Sequence, residues 1–195
     1  MRLSRTPWLF AVPLLGGCQF LPHHEFFKAP ENEPNPAWVR IVNYTQHSEL
    51  FQFENGVRTG GLIRRNEFVL VHTQDKGMPK AGQDLTFNYY ETQVRPDLET
   101  HVDMSYIGDR TDSCTVSARF TPKAGRYYQF LMESGYGVGK CTLYPTLIER
   151  DENGPGWHLS PNPDVTYGKG SNESQTSYFM ELYRDPNYQG FNPGR

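Results

Sequence analysis

Between residues 37 and 150 the chain alternates short apolar or every-other-residue runs with turn residues, a pattern that predicts strands. Residues 38–44 (WVRIVNY) are β-branched and aromatic. Leu50 to Glu54 leads into Asn55-Gly56, a pair suited to a type I′ hairpin because both central residues must take positive φ. Residues 67–73 (EFVLVHT) are almost continuously apolar, as a strand covered on both faces would be. Leu85, Phe87 and Tyr89 alternate, as do Val102, Met104 and Tyr106. In residues 114–120, Cys114, Val116, Ala118 and Phe120 share one face, and Thr115, Ser117 and Arg119 the other. Residues 121–125 (TPKAG) turn the chain into residues 126–132. The glycine-rich residues 135–139 then precede residues 141–148, where Pro145 predicts an edge or a bulge. No segment before Arg150 carries a helical period. The prediction is an all-β domain over residues 37–150, an antiparallel β-sandwich of about seven or eight strands.

The flanks read differently. Residues 19–36 (QFLPHHEFFKAPENEPNP) contain four prolines among polar residues, which predicts a tether over residues 18–36. At roughly 3 Å per residue in a polyproline-like form, it would reach some 50 Å. Its Phe20, Phe26 and Phe27 are suited to docking on the domain or on lipid. After Arg150, residues 151–195 predict an irregular, aromatic-rich segment that can pack on the domain. Residues 151–170 are rich in Pro, Gly and Asn, residues 174–183 mix strand and helix spacing, and residues 185–195 read as a tail.

The first seventeen residues form an export signal. Arg2 and Arg5 precede an apolar run from Trp8 to Leu15, too short for the roughly 20 residues of a membrane-spanning helix. The run closes on Leu15-Gly16-Gly17-Cys18, small residues before a cysteine, which resembles the lipobox of bacterial lipoprotein precursors. The resemblance covers the signal alone. It implies cleavage after Gly17 and acylation, palmitate included, of Cys18 as the first mature residue. In that family's sorting rule Asp after the cysteine favours the inner membrane. Gln19 stands here instead, which implies an outer-membrane anchor facing the periplasm.

Cys18 assigned to lipid leaves Cys114 and Cys141, whose strand patterns aim both at a core, as a disulfide pair in an oxidising compartment. Two buried thiols are the alternative. In a simple meander their strands would lie two apart, about 9.6 Å, beyond the roughly 7 Å a disulfide tolerates between Cα atoms. The glycine-rich segment is therefore expected to carry the chain to the second sheet or to change the strand order. The formal net charge is −3, and no Lys/Arg block marks a nucleic-acid footprint. Aromatic residues make up 14%, with 12 Tyr and 12 Phe, a composition that suits sheets.

Chemistry-bearing motifs are sparse. Residues 134–141 (SGYGVGKC) approach a phosphate-binding loop, but Ser134 replaces the first glycine and Cys141 the magnesium-binding hydroxyl. A strand also follows where a helix is needed. Neither a G-x-S-x-G elbow nor an H-E-x-x-H pair occurs. His47, His72, His101 and His158 are isolated, His23-His24 has no identifiable partner, and Asp109 and Asp112 lack an ordered run of oxygen ligands. No catalytic residue, metal site or cofactor is assigned. Trp157, Tyr167, Tyr178 and Tyr183, set among turn residues, are the candidate binding residues, because such rings anchor partners and stack on sugars. The expectation is a lipid-anchored β-sandwich that binds an envelope protein as an accessory or assembly subunit. Glycan or peptidoglycan binding is the alternative, and an enzyme the third.

Overall fold

The computed structural model describes residues 26–42, 47–64, 73–85, 88–107, 113–135 and 140–168. These form ten strands: β1 (Ala37–Val42), β2 (His47–Glu54), β3 (Val57–Arg64), β4 (Tyr89–Val94), β5 (Glu99–Ile107), β6 (Ser113–Phe120), β7 (Tyr127–Gly135), β8 (Lys140–Arg150), β9 (Trp157–Pro161) and β10 (Thr166–Tyr167). They build two five-stranded sheets, β4-β1-β7-β8-β9 and β10-β6-β5-β2-β3. Every named pair is antiparallel except β1–β7. The all-β sandwich is as the sequence pattern predicts. Its strand number is higher than predicted because β9 and β10 form in the stretch after Arg150 that read as irregular.

Among the described residues, the β2–β3 turn behaves as its residues dictate. Asn55 (φ 51°) and Gly56 (φ 79°) both sit in the left-handed region, and Glu54 pairs with Val57 across the two-residue turn. Gly135 pairs with Lys140, so the glycine-rich segment joins neighbouring strands of one sheet instead of crossing between sheets. The crossing falls earlier, at residues 121–126 between β6 and β7. There the Asp97 N–H donates to Pro122 O at 2.7 Å and the Gly125 N–H to Pro36 O at 3.0 Å, with Gly125 at φ 71°. That crossing places β6 opposite β8. The Cys114–Cys141 disulfide joins the two sheets with Cα atoms 5.6 Å apart.

Pro145 lies in an interior strand, between β7 and β9, rather than on the edge its residue type predicts. The N and O of one strand residue face the same neighbour. Because Pro145 O accepts from Asn162 N at 3.4 Å, the missing N–H faces the β9 side, where pairing stops at Thr146–Pro161.

Between the sheets lie Val39, Ile41, Leu50, Val102, Met104, Phe130 and Leu143, all essentially inaccessible. Phe120 packs on Tyr128 and Phe130 at 4.9 and 5.0 Å. A second cluster covers the outer face of the first sheet, where Met78, Ala81 and Leu85 lie over Val42, Tyr89, Leu131, Tyr144 and Ile148. Leu85 thus belongs to a covering segment, and the alternation that linked it to Tyr89 does not mark one strand. Double coverage explains why β1 and β4 are buried at nearly every position. At the other end of the domain Phe27 is buried, its N–H donating to Leu62 O at 2.8 Å, and Phe26 bridges Leu62 in parallel. Residues from Phe26 onward therefore travel with the domain.

Candidate binding surface

The outer face of the first sheet carries the clearest concentration of partly accessible aromatic surface. Alternation along β1 sends Val39 and Ile41 inward and Trp38, Arg40 and Val42 outward. Trp38 is the register partner of Tyr127, and their rings stack at 6.4 Å with 23° between planes. Trp157, on edge strand β9, meets Tyr127 edge-on at 5.5 Å and 84°. All three side chains are half-buried and pack against the outer-face cluster that includes Val42, Ile148 and Leu159. They form a ridge across the sheet with apolar bodies seated and polar N–H and O–H groups to offer, the composition that interface anchors share.

Beside the ridge lies a closed polar cluster. Arg40 and Glu91 are both fully buried, with Arg40 Nε donating to Glu91 Oε1 at 2.8 Å. Arg40 also donates to Gln129 Oε1 at 3.2 Å and to Met78 O at 2.9 Å. The second Glu91 oxygen accepts from the backbone N–H groups of Lys76 (2.5 Å) and Met78 (3.1 Å). Gln129 Nε2 is buried without a hydrogen-bond partner. Nearby, the Tyr89 hydroxyl donates to Asp75 at 2.6 Å, and the Gly77 N–H donates to the other Asp75 oxygen at 2.7 Å. Those two bonds hold the Asp75 carboxyl below its usual range. Burial, then the Asp75 acceptor, pushes the Tyr89 hydroxyl far up. Arg40, Glu91 and Gln129 are buried while Asp75 sits at the exposed rim, and the cluster fastens the covering segment 73–85 to the sheet.

At the β9 edge His158 Nδ1 lies 2.7 Å from Asp151 Oδ1, and Ser160 shares its strand face. The Ser160 hydroxyl nevertheless donates to Glu149, at 2.5 Å, and Arg126 holds the other Glu149 oxygen at 2.9 Å. A serine committed to a carboxylate is not set up for attack through histidine. Among the described residues no group of three His, Cys, Asp or Glu side chains could hold a metal, and no helix is long and apolar enough to cross a membrane.

The structure separates the two candidate rings it describes. Trp157 joins the ridge, whereas Tyr167, on β10 opposite Ala118, packs half-buried against the inter-sheet core. Cys18, Tyr178 and Tyr183 lie outside the described residues, as do Asp109, Asp112, His72, most of the run 67–73 and the tip of the glycine-rich loop. Sequence reading missed Trp38 and Tyr127 as surface residues. The signal was present: Trp38 shares its parity with Arg40, on the side opposite Val39 and Ile41.

No protein-family model, curated protein or solved structure matches the chain.

Proposed function

We propose that the protein is an outer-membrane lipoprotein, held through acylated Cys18, whose periplasmic β-sandwich binds another envelope protein as an accessory or assembly subunit. The observation that carries the binding reading is the Trp38–Tyr127–Trp157 ridge, three half-buried rings on the outer face of a sheet. The lipobox-like Leu15-Gly16-Gly17-Cys18 carries the anchoring. Binding rather than catalysis fits the surroundings, since Ser160 and His158 bond to separate carboxylates.

Trp157→Ala and Trp38→Ala should each weaken association by about 1–3 kcal/mol, in the range of aromatic interface truncations. Crosslinking in envelopes followed by mass spectrometry reads partner recovery, and thermal melts of the same variants read folding. Tyr167→Ala is the comparator: its ring packs on the core, so it should lower the melting temperature instead. Unchanged crosslinking in well-folded Trp157→Ala and Trp38→Ala would remove the ridge from the reading. The near-parallel Trp38 and Tyr127 rings favour glycan stacking as a second reading. Retention on purified cell wall, lost in Trp38→Ala, would select it over a protein partner.

A further inference from the structure

The two edges of the sandwich differ. β6 lies against β8 and is joined to it by the disulfide, so β9 and β10 share one edge. At the opposite edge, Gln52 and Glu54 at the end of β2 bond to Arg95 just after β4, so the β2–β3 and β4 ends of the two sheets lie on this side. The chain enters the domain at this second edge, through buried Phe27 and its bond to Leu62 of β3.

Cys18 lies eight residues before Phe26. Whatever the conformation between them, at no more than about 3.6 Å per residue the span is under roughly 29 Å. This is far shorter than the reach of an eighteen-residue tether. Among the described residues the exposed large hydrophobics are Phe26 (52%) and Val57 (63%), and both belong to this edge. Either alone would be ordinary. Beside them, Lys28 and Arg58 are exposed, and Arg58 lies 4.3 Å over the Phe51 ring.

We propose that the β3 edge seats on the bilayer, with Phe26 and Val57 at headgroup depth and Lys28 and Arg58 over lipid phosphates. The β9–β10 edge, with Trp157, then faces away. Short attachment, exposed apolar side chains and cations at one edge are what an interfacial contact requires. An acylated cysteine holds the chain at the bilayer without setting how the domain sits, and a protein contact fixes that orientation. The inference rests on the lipid-anchor reading.

The test uses the full chain, expressed so that its signal is processed, in vesicles of phosphatidylethanolamine and phosphatidylglycerol. Cys18 is acylated on this reading, and Cys114 and Cys141 are joined. Val57→Cys and Glu152→Cys therefore each offer one site for an environment-sensitive fluorophore. Brominated lipids should quench the label at position 57 several-fold more than the label at position 152. Equal quenching, or stronger quenching at 152, overturns the orientation. Mass analysis of the same preparation separates the two ideas. Unmodified Cys18 overturns the anchor and the seating together, whereas acylated Cys18 with no preference for position 57 overturns the seating alone.

Discussion

Removing one member of the buried Arg40–Glu91 pair should be the most destabilising single polar change in the domain. Both side chains are completely inaccessible. Glu91→Gln leaves the Arg40 cation buried with only neutral acceptors, Gln129 Oε1 and Met78 O, in place of a carboxylate. Arg40→Met leaves the Glu91 carboxylate with the two backbone N–H groups of Lys76 and Met78. Breaking a buried pair from one side typically costs about 3–5 kcal/mol, because the remaining charge is uncompensated. For a domain of this size that is a fall in melting temperature of roughly 6–20 °C. The double variant Arg40→Met/Glu91→Leu buries no charge and should cost less than the sum of the single changes. A cycle coupling of about 1–3 kcal/mol is expected.

Urea unfolding with the disulfide intact measures these differences. Hydrogen exchange at the Lys76 and Met78 amides tests where the energy goes. Glu91 receives both N–H groups, so exchange in residues 74–85 should accelerate in Glu91→Gln before the sandwich itself opens. Single variants costing less than about 1 kcal/mol, or additive with each other, would refute the pairing argument. A large global loss with unchanged exchange in 74–85 would refute the idea that the cluster fastens that segment.

Other perturbations address separate parts of the structure. Cys114→Ala/Cys141→Ala should cost about 3–4 kcal/mol on the chain-entropy model for a separation of 27 residues, read by denaturation of both proteins without reductant. A loss well under 1 kcal/mol would mean the sheets need no staple. Tyr89 has its folded pKa raised above the ordinary value near 10, so the folded state keeps a proton the unfolded state releases. Its contribution is full below pH 10 and declines as pH rises further, and Tyr89→Phe should flatten that alkaline decline. For Asp75 the folded pKa is depressed, so its contribution is present above the carboxylate range and lost as pH falls through the folded value; Asp75→Asn should flatten the acid limb. Gly60→Ala would drive a Cβ into the Leu50 carbonyl oxygen at φ +114°, and melts should show a loss of at least about 1–3 kcal/mol.

Much of the architecture was legible because one chemical rule, alternation, was enough. β5 and β6 have one face on the core and show it, and Asn55-Gly56 specified its turn outright. The errors arose where two rules competed. The glycine-rich loop looked suited to crossing between sheets, but the turn at residues 121–126, which contains Pro122 and Gly125, performs that step. Residues 157–161 read as irregular because β9 is short, and His158 and Ser160 make its inner face polar. Its membership in the sheet depends on pairing with β8, a partner that local sequence cannot identify. Arg40 and Glu91 escaped as a pair because they lie 51 residues apart and meet only once β1 and β4 are neighbours.

The candidate binding residues were half legible for the same reason. Concentration of Trp and Tyr among turn residues is a property of composition and picked out Trp157 and Tyr167 alike. Their difference is topological: β9 extends the first sheet and shows Trp157 to its outer face, while β10 caps the second and turns Tyr167 to the core. The ridge needs three segments far apart in sequence, 38, 127 and 157, brought into line by the parallel β1–β7 pair and the β7-β8-β9 meander. That same order puts the point where the chain enters at β3 and the edge carrying Trp157 on opposite sides. If the chain is anchored through Cys18 as proposed, a domain held at one edge leaves its other edge free, and the position of Phe27 then bears on function as directly as the rings do. Moving the attachment, more than deleting a ring, would test whether the two edges have separate tasks. Phe27→Ala keeps the backbone bond to Leu62 but removes the buried ring that seats the entering segment, so it should loosen that segment, with thermal melts reading the accompanying loss from the core. Partner crosslinking that persists while quenching at position 57 disappears would show that the ridge works without the seating.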